Sequence, residues 1–353
     1  MASGAAISGS PWTVTVQPGL FDASNCEVEW GAKDFGATFA GATANAKESR
    51  LIAHAVYGLA PMARFAVAGA LQNFTVTAKD SHGNLRTQDD HFEVMVEGPA
   101  VPTLVRFGKV STGKYKFGIS STVAGTYVAR IFIMGNELPR ASPVAFSVFP
   151  SVANASATRV SGSGLLGGRA GFVSTFGVQL RDSFDNELLR GCNNAALSCA
   201  SLNVAVGGTN EGAAVGVVDE NSGRYTIRYK PLVSGSWPIS VVIAGDDVTR
   251  GTMQIECGPT SANRSAVFGV PAVPTSGKPF EFSIQAKDAQ GNIFTGHDDK
   301  FVVSIQGCLL TSCMLSKSYL GLGLYKIRAH VQSARAHTLV ASYDGSPIQV
   351  RSV

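Results

Sequence analysis

A strand-plus-turn unit that returns about every hundred residues constrains this chain more than any other feature. In Gly277–Asn292 (GKPFEFSIQAKDAQGN), Phe280, Phe282, Ile284 and Ala286 alternate with Glu281, Ser283, Gln285 and Lys287. A period of two places the first set on one face of a half-buried strand. Asp288 to Asn292 then supplies a turn, because Asp and Asn accept local backbone hydrogen bonds and Gly tolerates positive φ. The unit occurs earlier as Asn73–Asn84 (NFTVTAKDSHGN) and as Ser174–Asn186 (STFGVQLRDSFDN). Asp80, Asp182 and Asp288 lie 102 and 106 residues apart, and the tyrosines of a Gly-x-Tyr landmark (Tyr115, Tyr225 and Tyr325) lie 110 and 100 apart. Two landmarks that keep one period identify a repeat protein. On this reading Asp288 and Asn292 shape the backbone of the turn and bind nothing else.

A period near 100 residues suits a β-sandwich, and 353 residues hold three of them. The 39 Gly and 15 Pro supply turns rather than long helices, while a hydrophobic share of 45% suffices for several cores. The net charge of +4 is dispersed with no Lys or Arg run, which argues against nucleic-acid and membrane-surface partners. No apolar stretch approaches the ~20 residues of a membrane span. The first residues, MASGAAISGSPW, lack the basic start and apolar run of a signal peptide. They also begin inside a repeat, so the chain reads as an excerpt and its start leaves the compartment open.

Residues 1–18 read as the closing strand of a preceding repeat, with Trp12, Val14 and Val16 alternating after a Gly-Ser-Pro turn. The same ending returns at Ser142–Phe149 (SPVAFSVF) and Ser346–Val353 (SPIQVRSV), whereas Arg250–Cys257 (RGTMQIEC) lacks Ser-Pro. Full repeats then occupy 19–150, 151–258 and 259–353. The first has strand candidates at Cys26–Trp30, Asn73–Lys79, His91–Glu97, Leu104–Val110, Tyr115–Ser120, Thr126–Met134 and Val144–Phe149. It also carries an insertion, 31–71, in which Ala44–Tyr57 has helix formers with Leu51, Ile52, Ala55 and Val56 at helical spacing. That short helix either plugs an open sandwich end or meets a partner. In the second repeat, Ser161–Gly171 is a Gly-rich loop without the spacing or the Lys-Ser/Thr of a phosphate loop. Short linkers imply end-to-end packing with limited swing.

Candidate chemistry is sparse. Gln88-Asp89-Asp90-His91 and His297-Asp298-Asp299 resemble cation or acid–base clusters, yet both precede the third strand of their repeat. Asp side chains bonding local backbone in a solvated loop is the favoured reading over a cation site. His54, His82, His330 and His337 have no ligand spacing, no cysteine pairs with a histidine as a nucleophile, and no G-x-S-x-G elbow occurs. We therefore expect no enzyme activity, no catalytic residue, no metal and no cofactor. Cys192 with Cys199, and Cys308 with Cys313, are candidate hairpin disulfides of a secreted chain. Cys26 and Cys257 lack an obvious mate, which suits reduced cytosolic thiols. Candidate glycosylation sites are Asn73, Asn154 and Asn263, about the number chance would supply. The compartment stays open between cytoplasm or cytoskeleton and cell surface.

The landmark strand ending in Asp-x-x-Gly-Asn, the Gly-x-Tyr, the Gly-Thr-Tyr at Gly125–Tyr127 and the closing Ser-Pro strand together resemble filamin-type immunoglobulin-like repeats. Asp219–Trp237 (DENSGRYTIRYKPLVSGSW) carries the resemblance best, and only 31–71 falls outside it. The resemblance implies an all-β fold of tandem seven-stranded immunoglobulin-like sandwiches, with the one short helix confined to the insertion. It implies a protein-interaction rod linked to the actin cytoskeleton, whose exposed third- and fourth-strand edge binds extended peptides or neighbouring repeats by strand addition. The edge residues would be Phe92, Val94 and Val96; Leu202, Val204 and Val206; and Phe301, Val303 and Ile305. The calponin-homology domains of filamins are absent from these residues, so any actin contact would be indirect. The last repeat also departs from the pattern, with Arg335-Ala336-His337 in place of Gly-Thr-Tyr. Similar repeats occur in extracellular adhesion proteins, including gamete-adhesion glycoproteins, which makes an adhesion module the alternative function.

Overall fold

The computed structural model describes residues 13–30, 65–189, 202–207, 214–298, 300–308 and 312–350. The chain forms two units, Met1–Ala157 with Arg181–Cys199, and Thr158–Leu180 with Ala200–Val353. The expected helix at Ala44–Tyr57 lies outside the described residues, as does most of the expected insertion.

The first unit contains β1 (Glu27–Trp30), β2 (Phe65–Val67), β3 (Gln72–Thr77), β4 (Phe92–Glu97), β5 (Thr103–Ser111), β6 (Lys114–Ser120), β7 (Gly125–Ile133), β8 (Asn136–Glu137) and β9 (Val144–Phe149). One sheet has the order β1-β3-β6-β5 and the other β2-β9-β7-β4, with β8 paired to β7. Their facing sides enclose one core. Trp30 stacks on Phe74 at 4.7 Å between ring centroids and Phe74 on Phe117 at 5.3 Å. Tyr127, Ala129, Ile131 and Ile133 alternate inward with no exposed surface, as the period-two pattern requires.

The second unit begins with β10 (Arg159–Ser161), a single 3₁₀ turn at Ser163–Leu165, β11 (Gly167–Arg169), β12 (Ser174–Gln179), β13 (Leu202–Val206), β14 (Ala214–Asp219), β15 (Arg224–Lys230), β16 (Gly235–Ile243) and β17 (Asp246–Glu256). These form sheets β10-β12-β15-β14 and β11-β17-β16-β13. It continues with β18 (Ala266–Phe268), β19 (Pro279–Gln285), β20 (Phe301–Gln306), β21 (Cys313–Gly321), β22 (Leu324–Val331), β23 (Thr338–Tyr343), β24 (Ser346–Pro347) and β25 (Gln349–Val350). Here the sheets are β21-β22-β19-β18-β25 and β20-β23-β24. Phe301 bridges the two sheets, packing on Tyr325 and on Tyr343 at 5.0 Å each.

Three expectations need correction. Residues 13–18 form no strand, and Val14 and Val16 are 80% and 86% exposed. A closing strand needs ladder partners, and the described residues place none beside it. The segment expected to be an insertion up to residue 71 ends in β2, which pairs parallel with β9. The Gly-rich loop Ser161–Gly171 likewise holds β11, parallel to β17. Both strands are three residues long, too short for an alternation to be visible.

The Ser-Pro difference between repeats has a local consequence. Proline has no N–H to give the ladder, so the closing strand of the first sandwich is interrupted at Ser142-Pro143, between β8 and β9, whereas Ser346-Pro347 of the last lies within the short β24 and the break follows it, before β25. In the first case Ser142 Oγ accepts the Ile131 N–H at 3.0 Å in place of a ladder carbonyl. The middle closing strand, β17, has no proline and runs eleven residues against β16, with a shift only between Val241 and Val242.

Candidate interaction surface

The strands β4, β13 and β20 each lie at a sheet edge, beyond β7, β16 and β23 in turn. Antiparallel ladders alternate bonded and non-bonded pairs, so one bond fixes which amides point outward. Met134 N–H donates to His91 O, Gly207 N–H to Pro238 O, and Asp344 N–H to Lys300 O. Counting by twos along each register, the backbone groups of Phe92, Val94 and Val96 face away from β7. The same holds for Leu202, Val204 and Val206, and for Phe301, Val303 and Ile305. These nine are the residues the sequence singled out, and they combine two orientations. Their side chains turn inward, with Phe92, Val206 and Phe301 in the core at 3%, 6% and 2% exposure and the other six half-buried. Their amides and carbonyls form the open edge, except that Phe301 O already accepts from Lys317 Nζ at 3.0 Å. The side chains that face solvent are the ones between, such as Met95 and Val302.

Tyrosine hydroxyls organise the Asp-rich loops that lead into β4 and β20. Tyr115, buried by its place on β6, receives the Asp90 N–H on its hydroxyl at 2.8 Å and donates to Gln88 O at 3.2 Å. Asp90 Oδ1 accepts a hydrogen bond from Arg86 Nε at 2.8 Å in a buried ion pair. Tyr325 repeats the clasp, donating to Asp298 O at 2.8 Å and accepting the Asp298 N–H at 2.5 Å, while Tyr343 donates to Asp298 Oδ2 at 2.7 Å. Burial, reinforced by that Asp298 bond, pushes the Tyr343 hydroxyl up to about 12. The Gly-x-Tyr landmark is therefore what shapes the Asp-rich loops. Among the described residues no group of three His, Cys, Asp or Glu side chains is placed to hold a metal.

The landmark turns do more than the sequence suggests. Each Asp is buried, at 1% exposure or less, and collects at least four hydrogen bonds. Asp288 Oδ1 accepts from Gln290 and Asn292 N–H at 2.9 Å, and its Oδ2 from Gly258 N–H and Asn292 Nδ2 at 2.8 Å. Asp182 and Asp80 repeat the set, taking the N–H of Ser151 and of Gly19 in the place of Gly258. At Asp80 the bond from the Asn84 side chain, with those from Gly19, Asn84 and His82 N–H, holds the carboxyl well below the usual carboxylate range. The turn thus fastens the linker entering its own repeat. Its Asn reaches further still. Asn292 Nδ2 donates to Leu232 O at 2.9 Å and its Oδ1 accepts the Ser234 N–H at 3.0 Å. Asn186 Nδ2 donates to Thr122 O at 2.8 Å and its Oδ1 accepts the Ala124 N–H at 2.8 Å. The expectation that Asn292 binds nothing beyond the turn fails, because it clamps the loop before β16.

Of the cysteines, Cys308 and Cys313 are joined sulfur to sulfur with Cα atoms 5.9 Å apart, across the connection from β20 to β21. Cys192 and Cys199 lie outside the described residues. Cys26 and Cys257 are buried and unbridged, and burial pushes the Cys26 thiol up. Asn263 is exposed, Asn73 sits half-buried within β3, and Asn154 Oδ1 accepts from Ser156 Oγ and Ala157 N–H. No helix among the described residues is long and apolar enough to cross a membrane.

The family model described as Filamin/ABP280 repeat matches residues 152–252. Residues 152–252 match a filamin repeat. Filamin-C of Mus musculus is 30% identical over 177 residues, which is 48% of this chain. The chain spans 6% of that relative's length. Among solved structures, FdeC, an Escherichia coli adhesin, aligns with a TM-score of 0.59 at 18% identity over 96% of this chain and 100% of that one, a likeness of fold. The matched filamin repeat contains β10 to β16 and most of β17, and with them the Asp182 turn and the open edge of β13. The sandwich before it shares its sheet orders and its Asp turn; the one after it shares the Asp turn and the order of four strands in one sheet, while its last strand, β25, pairs with β18.

Proposed function

We propose that this filamin-repeat chain is a non-enzymatic interaction scaffold that takes extended partner segments on the open edges of β4, β13 and β20. The alignment of all three edges supports this reading. In each, the outward backbone groups sit on residues whose side chains are turned inward, leaving a row of donors and acceptors with an apolar floor. An added strand would satisfy those groups, and its alternate side chains would reach the floor. We further propose that 19–150, 151–258 and 259–353 are three successive repeats, each with one such edge. The actin link implied by filamin kinship gains no support from these observations and is not part of the proposal.

Proline at an outward-facing position tests the edges while sparing the ladder, since it removes an amide that no neighbouring strand uses. The full chain carrying Val94→Pro, Val204→Pro and Val303→Pro is expected to keep its far-ultraviolet spectrum and lose at least tenfold in affinity for extended peptides selected from a displayed random library. Equal capture by the parent and the triple variant would remove strand addition as the mode.

A second reading, an extracellular adhesion module, is favoured by the bonded Cys308–Cys313 pair and the exposed sequon at Asn263. It expects intact native protein to gain about two mass units per disulfide on reduction, and to lose mass with glycosidase. Free thiols and an unchanged mass would leave the scaffold reading alone.

A further inference from the structure

The two Asn clamps belong to a larger joint. In the first unit the third turn residue, Phe184, rests on Gly69, where an added Cβ would lie 2.5 Å from its ring. In the second unit Gln290 occupies the same place over Gly171, 3.1 Å from such a Cβ. Both glycines have positive φ, +80° and +84°, and both follow the short strand parallel to the closing strand. A joint therefore has three parts. One is a linker N–H held by the Asp, the second is a side chain laid on a left-handed glycine, and the third is an Asn clamping the loop four residues long that ends in Gly125 or Gly235.

Among the described residues, the Asp80–Asn84 turn has the same construction with one half missing. Gly19 N–H is held by Asp80 at 2.9 Å, so the linker enters as it does at Asp182 and Asp288. Yet Asn84 is exposed, whereas Asn186 and Asn292 are half-buried under the loops they clamp. Just ahead of the linker, Val14 and Val16 present an apolar alternation to solvent. We propose that the His82–Asn84 face is an open docking surface for one further filamin-type repeat, placed ahead of Gly19 and presenting a loop that ends in glycine. The loop requirement follows from the occupied joints: Gly125 and Gly235 have φ of +149° and +134°, which side-chain-bearing residues rarely adopt. The equivalent loop in the last sandwich does not qualify. Arg335 replaces the glycine without a positive φ, and Gln332 O already accepts Ser276 Oγ at 2.6 Å. A second copy of this chain is therefore a poor occupant, and a Gly-loop repeat the fitting one.

The test fuses two copies with Val353 joined to Pro18, which reproduces the Phe149-Pro150-Ser151 spacing. In the first copy Gln332→Thr, Ser333→Val and Arg335→Gly rewrite the loop as Thr-Val-Ala-Gly, the sequence of 122–125. Arg335→Gly alone is made in parallel in case the triple variant misfolds. Hydrogen exchange at the Ala124 and Ser234 amides monitors the internal joints of the same molecule. Exchange at the first copy's Ala334 amide is expected to slow about tenfold in a rewritten fusion, and Asn84→Ala in the second copy to abolish the effect. Exchange indifferent to Asn84 in a folded rewritten fusion overturns the docking surface. Equal Asn84-dependent protection in the unmodified fusion overturns the glycine requirement. Neither outcome bears on strand addition, which uses other residues.

Discussion

Trp237→Ala is expected to cost the second sandwich about 3–5 kcal/mol, the usual range for truncating a fully buried aromatic residue. Trp237 is 1% exposed on β16, opposite Met253 of β17, so its removal leaves a cavity between two strands that cannot close without breaking their ladder. With domains of this size holding roughly 5–15 kcal/mol, the loss should appear as a separate early transition in denaturant. Trp237→Tyr is expected to cost less than about 1.5 kcal/mol, because Tyr127 fills the corresponding position of the first sandwich. There its hydroxyl lies 2.7 Å from Ser121 Oγ and donates to Val123 O. A Trp237→Ala loss below about 1 kcal/mol would mean that the indole is not packed as described.

Gly167→Ala is the second large effect. A Cβ there would lie 1.9 Å from Gln254 O, and the residue has φ +135°. Backbone strain alone costs about 1–3 kcal/mol. Relief requires β11 to leave β17, forfeiting ladder bonds worth about 0.5–1.5 kcal/mol each and the contact from Tyr229 Oη to Gly167 O. Gly216→Ala is the control. Its φ is ordinary and its nearest Cβ neighbour is Arg228 O at 3.9 Å, so hydrogen exchange along β11 should change only in the first variant. Matching denaturant midpoints for the two would contradict the close approach of β11 to β17.

The strands were legible because alternation over five or more residues survives in the sequence whatever the partner. Val144–Phe149 is found where it was expected, and Phe92–Glu97 within a residue of it. β2 and β11 were not legible, since three residues carry no period and their pairing is parallel to a strand some eighty residues away. Sequence reading found the edge residues through a family resemblance, and ladder parity then supplied the reason that those nine present backbone rather than side chain. The clamps went unread for a different reason. Asn186 and Asn292 look like turn residues because they are, and their second partners lie about sixty residues earlier with no sequence mark except a glycine. The persistence of Asn at the turn's fifth position, while the fourth changes from Gly to Asp to Gly, was the available signal.

The clamps also impose an order of events on synthesis. The loop at Thr122–Ala124 belongs to a sandwich whose strands are complete by residue 149, but Asn186 lies 62 residues beyond Ala124. At about 5–20 residues per second of chain growth, that loop waits several seconds with its amide and carbonyl open to water. The first sandwich therefore emerges with one end unfinished, and each later one completes its predecessor in the direction of translation.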